Sequence, residues 1–184
     1  MRELSMHILD LAQNSIVANA TVIEIEVIAD TANDTLKIAI RDNGKGMSPE
    51  FLAKIEDPFT TTRTTRRVGL GIPMFAEAAH LCDGDLTIQS KQGKGTTVEA
   101  TFKLSHIDRA PIGDITSTLI ALIAANPDID IVYKQQVDAT EFMLDTREIK
   151  TQLDGVPINE GAVLKWLGEY VRENTQIGED NGSL

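Results

Sequence analysis

Three polar side chains share one face of a predicted helix near the start of the chain. His7, Asp10 and Asn14 are spaced at i, i+3 and i+7, so a helix places them in one line. The asparagine amide is a neutral oxygen ligand suited to Mg²⁺, and the Asp10 carboxylate one turn earlier can polarise a water molecule at the metal. The alternative is a solvated helix edge, because aspartate and asparagine are usually exposed. His7 taken alone is typical of a packing residue.

A glycine-rich segment at the end of a predicted strand supplies the second candidate site. It reads Asp42-Asn43-Gly44-Lys45-Gly46. Its two glycines, Gly44 and Gly46, allow the backbone to approach a flat ligand, and the Asp42 carboxylate offers an acceptor to an exocyclic amine. Taken alone, this pattern is also that of a common turn.

The third candidate is a hydroxyl- and arginine-rich loop that runs into a predicted helix. The loop, Asp57 to Val68, contains Thr62 and Arg63 and has no apolar periodicity, which predicts a mobile lid. Gly69-Leu70-Gly71 opens the helix that follows. The free N–H groups and the dipole of a helix N-terminus favour a phosphate, so this junction is a candidate phosphate site.

The fourth candidate is a turn between two predicted strands. Gly93-Lys94-Gly95 makes the turn, and Thr96 and Thr97 follow it. Either threonine can close an adenine pocket from the neighbouring strand. The alternative is an ordinary hairpin turn.

Apolar periodicity and turn residues predict the elements that position these candidates. The first 104 residues predict an α-β-β-α-loop-α-β-β order, which indicates an α+β fold, a two-layer α/β sandwich with helices over one face of a mostly antiparallel sheet. The predicted elements are a helix over Leu4 to Ala18, strands over Thr21 to Ala29 and Thr35 to Arg41, a short helix over Phe51 to Ile55, a helix from Gly69 to Leu81, and strands over Asp85 to Lys91 and Thr96 to Leu104.

The pattern changes after Leu104, where we expect a C-terminal α/β extension docked on the core. The sequence predicts helices over Ile112 to Ala125 and Val163 to Arg172, with a hairpin between them that can extend the sheet, Ile129 to Gln135 and Glu141 to Thr146. The expected division is therefore a domain over 1–104, the extension over 105–175 and a disordered polar tail over 176–184.

Composition excludes several classes of function. The 184 residues carry a formal charge of −11, which repels phosphate backbones and anionic lipid, so we expect neither nucleic acid nor membrane as a partner. The lone cysteine, Cys82, forms no intrachain disulfide and no thiolate zinc site. The sequence also contains no apolar run long enough to span a bilayer and no signal peptide pattern. We therefore expect a cytoplasmic location.

The four segments in this order resemble the ATP-binding domain of the GHKL superfamily, the Bergerat fold. This superfamily includes gyrase-type topoisomerases, mismatch-repair ATPases, a heat-shock chaperone and sensor histidine kinases, and the short lid makes the chain most similar to the histidine kinase-like ATPase domain. The resemblance covers about residues 5–104. The matching segments are the N box Asp10 to Asn14, the first glycine box Asp42 to Gly46, the phenylalanine box Asp57 to Arg63, the second glycine box Val68 to Gly71 and the last box Gly93 to Thr96.

The resemblance implies that ATP and Mg²⁺ bind between the helices and the sheet. It implies Asn14 on Mg²⁺, Asp42 on the adenine amino group, and Thr96 or Thr97 in support of that contact. The residues expected to contact the nucleotide are Asn14, Asp42, Gly44, Gly46, Thr62, Arg63, Gly69, Leu70, Gly71, Thr96 and Thr97. Asp10 is the candidate catalytic residue.

The resemblance leaves three functions open. Members that hydrolyse ATP have a glutamate where this chain has Asp10, one methylene shorter, which argues against hydrolysis and mildly favours an ATP-gated module. The favoured prediction is ATP-dependent phosphate transfer to a separate protein partner, because the sequence lacks the long two-helix hairpin that carries the phosphorylated histidine in sensor kinases. The alternatives are an ATP-gated interaction module without chemistry and a slow ATPase. The segment Ser105 to Ile112 also echoes the phospho-acceptor box of sensor kinases around His106. A linker histidine beside a proline turn is the preferred interpretation of that segment.

Overall fold

The computed structural model describes residues 3–56 and 71–175. They form helices and strands in the order that the sequence predicts, with one additional short helix. The elements are α1 (Leu4–Val17), β1 (Val22–Asp30), β2 (Thr35–Asp42), α2 (Pro49–Glu56), α3 (Gly71–His80), β3 (Asp85–Lys91), β4 (Gly95–Lys103), α4 (Ile115–Ala125), β5 (Asp130–Val137), β6 (Thr140–Asp145), α5 (Thr146–Gln152) and α6 (Gly161–Asn174).

All six strands belong to one sheet with the order β3-β4-β2-β1-β5-β6. Every neighbouring pair is antiparallel except β1 and β5, which are parallel. Helices pack on one face of the sheet, since β1 buries Ile23, Ile25 and Val27 while Glu24 is exposed and Glu26 is half-buried between them. The predicted α+β class, a two-layer sandwich, is confirmed.

The first helix is held by an apolar stripe that faces this sheet. Leu4, Ile8 and Leu11 recur at helical spacing and are at most 3% exposed. The core continues into α3, where Phe75 packs on Phe102 of β4 with ring centroids 5.7 Å apart. Burying these side chains fixes the rotation of α1, so its polar residues face the region beside α3.

The strands after Leu104 extend the same sheet. Val22 of β1 pairs with Asp130 of β5, and the register continues to Ala29 and Val137. The hairpin β5–β6 thus covers the side of β1 that faces away from β2. The division of the chain at residue 104 stays a prediction.

Two of the differences from the predicted elements concern helices α4 and α5. The helix predicted from Ile112 begins at Ile115, because the Asp114 carboxylate caps it by accepting a hydrogen bond from the Ser117 N–H at 2.8 Å. The first two residues of the helix predicted from Gly69 lie outside the described residues, and α3 is described from Gly71. Helix α5 has no counterpart in the prediction. The predicted lid, Asp57 to Val68, and the predicted tail, 176–184, lie outside the described residues.

Across residues 3–56 and 71–175, no helix combines the length and the apolar character needed to cross a bilayer.

Candidate functional site

A cavity of about 170 Å³ lies between α1, α2 and the sheet. Four of the residues singled out from the sequence line it, from three parts of the chain: Asn14, Asp42 with Gly46, and Thr96. Apolar side chains form much of its remaining wall, including Ile40 of β2. A mostly apolar cleft with a few convergent polar groups is the usual form of a small-molecule site.

The Asp42 carboxylate is held on both oxygens at the end of β2. The Ser15 hydroxyl on α1 donates to Oδ2 at 2.7 Å, and the Gly44 backbone N–H donates to Oδ1 at 2.9 Å. Bonds to an ionised acceptor are roughly twice as strong as neutral ones, so this carboxylate has a defined orientation. Sequence reasoning included Gly44 but missed Ser15.

Thr96 belongs to a small hydroxyl network on the neighbouring strands. Its Oγ1 lies 2.9 Å from Ser90 Oγ, which accepts the Met47 N–H at 2.9 Å. The sequence named Thr96 and Thr97 together, but the structure places only Thr96 at the cavity. Thr97 does not line the cavity, because side chains of neighbouring strand residues alternate between the faces of the sheet; it lines an open surface groove that Asp42 and Thr96 also border.

Two glycines permit the close packing of the loops at the mouth of the cavity. Gly46 and Gly95 have φ angles of +64° and +104°, a region that L side chains rarely adopt. A Cβ on Gly46 would overlap the Lys91 carbonyl oxygen, and one on Gly95 would overlap the Asp42 carbonyl oxygen. The glycines of the two boxes are therefore needed where the end of β2 meets the end of β3 and the start of β4.

Helix α3 begins against the polar face of α1. A Cβ on Gly71 would lie 3.2 Å from Asp10 Cβ and 3.9 Å from Asn14 Nδ2. The N-terminus of α3, where a phosphate is favoured, is thus adjacent to both residues. Asp10 is half-buried and does not line the cavity. Four other predicted site residues lie outside the described ranges: Thr62, Arg63, Gly69 and Leu70.

His7 is a packing residue, as the sequence predicts. It is 2% exposed, and its ring stacks on Phe75 with centroids 5.1 Å apart. Its Nδ1 is buried without a hydrogen-bond partner in the part of the chain that the structure describes. Burial lowers the pKa of His7, so the ring is neutral at pH 7.

Among the described residues, the ionisable side chains that line the cavity are Lys45 and Asp42, one cation and one carboxylate, and not a set of metal ligands. Lys45 lines the cavity and has no ion-pair partner among residues 3–56 and 71–175. The same residues contain no group of three or more histidine, cysteine or acidic side chains that could hold a metal ion. Asn14 alone fits Mg²⁺ only where phosphate oxygens and water complete its coordination, which is how Mg²⁺ is commonly bound with nucleotides.

Comparison with known proteins matches the region that contains this cavity. The profile of the family described as "Histidine kinase-, DNA gyrase B-, and HSP90-like ATPase" matches residues 2–106. The "Sensor protein kinase FleS" of Pseudomonas aeruginosa is 36% identical over 109 residues, which are 59% of this chain and 26% of that protein. The "Non-motile and phage-resistance protein" of Caulobacter vibrioides is 31% identical over 117 residues, 59% of this chain and 14% of that one.

A solved structure, the "N terminal domain of a DNA repair protein", shares the fold. It aligns with a TM-score of 0.51 at 18% identity and covers 79% of this chain and 53% of its own. The chain spans about a quarter or less of the length of the two curated relatives.

Proposed function

Since the chain belongs to the histidine kinase-, DNA gyrase B- and HSP90-like ATPase family, we propose that it binds Mg·ATP in the cavity beside α1 and transfers the γ-phosphate to a separate protein. The observation that carries this proposal is the convergence of Asn14, Asp42, Gly46 and Thr96 on one cavity. Asn14 comes from the N box, Asp42 and Gly46 from the first glycine box and Thr96 from the last box, and the side chains of Asn14, Asp42 and Thr96 have the chemistry that parts of the nucleotide require.

Asp42 and Thr96 suit the adenine end. The carboxylate accepts from Ser15 and Gly44 and retains acceptor sites for the exocyclic amine of the base. Thr96 lines the same cavity and adds a hydroxyl that both donates and accepts. The apolar wall, with Ile40 and Val98, suits the flat faces of a purine.

Asn14 and the start of α3 suit the phosphate end. Gly71 packs against Asn14, so the helix N-terminus and the candidate metal ligand are adjacent. Lys45 supplies a cation to the cavity of a chain with a net charge of −11. In this proposal Mg²⁺ would be held by the Asn14 amide oxygen, phosphate oxygens and water, and it would neutralise charge on the transferring phosphate.

Two features favour transfer to a protein over hydrolysis. Asp10 lies beside Gly71 at the phosphate end, but its side chain is one methylene shorter than the glutamate of the ATP-hydrolysing members of the superfamily. A carboxylate displaced by about 1 Å from an attacking water would leave turnover slow, since such a displacement can cost roughly a hundredfold. The name of the Pseudomonas aeruginosa relative, a sensor protein kinase, also supports phosphate transfer.

The shorter side chain of Asp10 also favours a second candidate function, an ATP-gated interaction module. In that case nucleotide binding changes the surface around the cavity and recruits a partner without chemistry. A slow ATPase is the remaining alternative.

ATP that is radiolabelled in its γ-phosphate distinguishes these functions. The purified chain is incubated with γ-³²P-ATP, Mg²⁺ and fractionated protein from the source cells, with Asn14→Ala as the inactive variant. Asn126→Ala, which removes an amide at the end of α4 outside the cavity, is the matched control. We expect label on a protein band with the wild type and the control but not with Asn14→Ala.

The other outcomes separate the alternatives. Release of labelled phosphate alone would indicate an ATPase, and ATP binding without label transfer or release would indicate a switch. Failure of the wild type to bind ATP by calorimetry would refute the proposed site itself. The acid stability of the labelled bond then separates a phosphohistidine acceptor from a phosphoserine acceptor.

A further inference from the structure

Ser15 is a polar residue on the apolar stripe of α1. It continues the series Leu4, Ile8 and Leu11 at helical spacing, and it is 3% exposed. A buried hydroxyl without a hydrogen bond costs free energy, so an apolar residue would be the better choice for packing alone. The position of Ser15 therefore points to a role for its hydroxyl.

The hydroxyl bonds to Asp42 rather than to its own helix. Its Oγ lies 2.7 Å from Asp42 Oδ2 and 3.4 Å from the Leu11 carbonyl oxygen. A serine hydroxyl has one hydrogen to donate, and the shorter distance and the negative charge of the carboxylate both favour Asp42. The buried Ser15 side chain thus links α1 to the end of β2, which lies 27 residues further along the chain.

This bond, together with that from Gly44, limits which groups the carboxylate can still accept. The Gly44 N–H occupies one site on Oδ1 and Ser15 one on Oδ2, so the plane of the carboxylate is fixed from two directions. A carboxylate has about four acceptor sites and no donor when ionised. The sites left at the cavity therefore suit an N–H donor, such as the 6-amino group of adenine, and disfavour the 6-oxo group of guanine or hypoxanthine.

We infer that Ser15 is a positioning residue that sets the selectivity of the site for a 6-aminopurine by holding Asp42 in place before the nucleotide binds. This inference rests on the proposed nucleotide site, and it assigns to Ser15 the selectivity of that site for adenine. Without the hydroxyl, the Asp42 side chain must be immobilised when the ligand binds, and ordering one such side chain weakens affinity by roughly two- to tenfold.

The test compares two nucleotides that differ only in the 6-amino group, ATP and purine riboside triphosphate. Calorimetry on Ser15→Ala should show ATP affinity lower by about two- to tenfold, and a clearly smaller change for the analogue that lacks the amine. Ser5→Ala is the matched control, because Ser5 is a 1% exposed serine on the same helix whose hydroxyl bonds Glu3, away from the cavity.

A second measurement shows whether Ser15 acts through Asp42. In an Asp42→Asn background, Ser15→Ala should cause little further loss of ATP affinity, because the carboxylate that it positions is already gone.

The outcomes separate this inference from the proposed function. Equal losses for ATP and the analogue would indicate a purely structural role for Ser15 and overturn the inference, while the ATP site would stand. Unchanged ATP affinity in Ser15→Ala would overturn it as well. Absence of ATP binding in the wild type would instead refute the site.

Discussion

Asp42→Asn is the change that most directly tests the adenine end of the cavity. The native carboxylate accepts from Ser15 and Gly44 with different oxygens. Asparagine has one oxygen and one NH₂ group, so it cannot accept both bonds and also accept from a ligand amine. Either a native donor loses its partner, or the NH₂ group faces the amine of the base, donor against donor.

The expected magnitude follows from the bond that is lost. A hydrogen bond to a charged group contributes about 1.5–3 kcal/mol, which corresponds to a roughly ten- to hundredfold loss of ATP affinity. Titration calorimetry with Mg·ATP measures this change.

Asp34→Asn is the control for the general effects of this substitution. The Asp34 carboxylate also accepts from one backbone N–H and one serine hydroxyl, those of Ser105 at 2.8 and 2.7 Å, but it lies in the β1–β2 turn outside the cavity. Asp34→Asn should leave ATP affinity unchanged while it removes an equivalent pair of bonds. Equal ATP affinity for Asp42→Asn and the wild type would refute the assignment of the adenine end.

Four further predictions concern stability, its pH dependence and turnover. His7→Phe removes an unpartnered buried nitrogen and keeps a ring against Phe75, so the free energy of unfolding should rise by about 1 kcal/mol. The pKa of His7 is lowered in the fold, so as the pH falls the unfolded chain takes up the proton before the folded chain does. Chemical denaturation should therefore show that the free energy of unfolding of the wild type decreases as the pH drops below about 6.5, and that it decreases less in His7→Phe. Gly95→Ala forces a Cβ against the Asp42 carbonyl at positive φ and should lower thermal stability by about 2 kcal/mol or more, whereas an unchanged melting temperature would contradict the packing. Asp10→Asn should leave phosphate release as low as in the wild type; brisk wild-type hydrolysis that this variant abolishes would make the protein a hydrolase.

Local signals predicted most of the elements. The apolar stripe of α1 and the β-branched runs of β1 and β2 depend on periodicity within a few residues, so their types could be read directly. Helix α5 was missed because its seven residues show no apolar periodicity. Its one signal is Asp145, whose carboxylate accepts the Arg147 N–H and caps the helix.

Which side chains face the cavity could not be predicted from the sequence alone. The sequence left Thr96 and Thr97 equivalent, and only the register of β4 against β2 places Thr96 at the cavity and Thr97 outside it. Ser15 did have a sequence signal, a hydroxyl on the buried stripe of α1, but its partner Asp42 is distant in the chain. The parallel pairing of β5 with β1 had no local signal, since the two strands are separated by more than 90 residues.

That parallel pairing has a practical consequence for protein engineering. The family profile ends at residue 106, so a chimeric kinase that borrows only the matched region would lack β5. The backbone N–H and C=O groups that β1 directs toward β5 would then face solvent along eight paired positions, Val22 to Ala29. Such an open strand recruits other chains and promotes aggregation. A soluble transplant of this nucleotide-binding module should therefore carry the chain through β6.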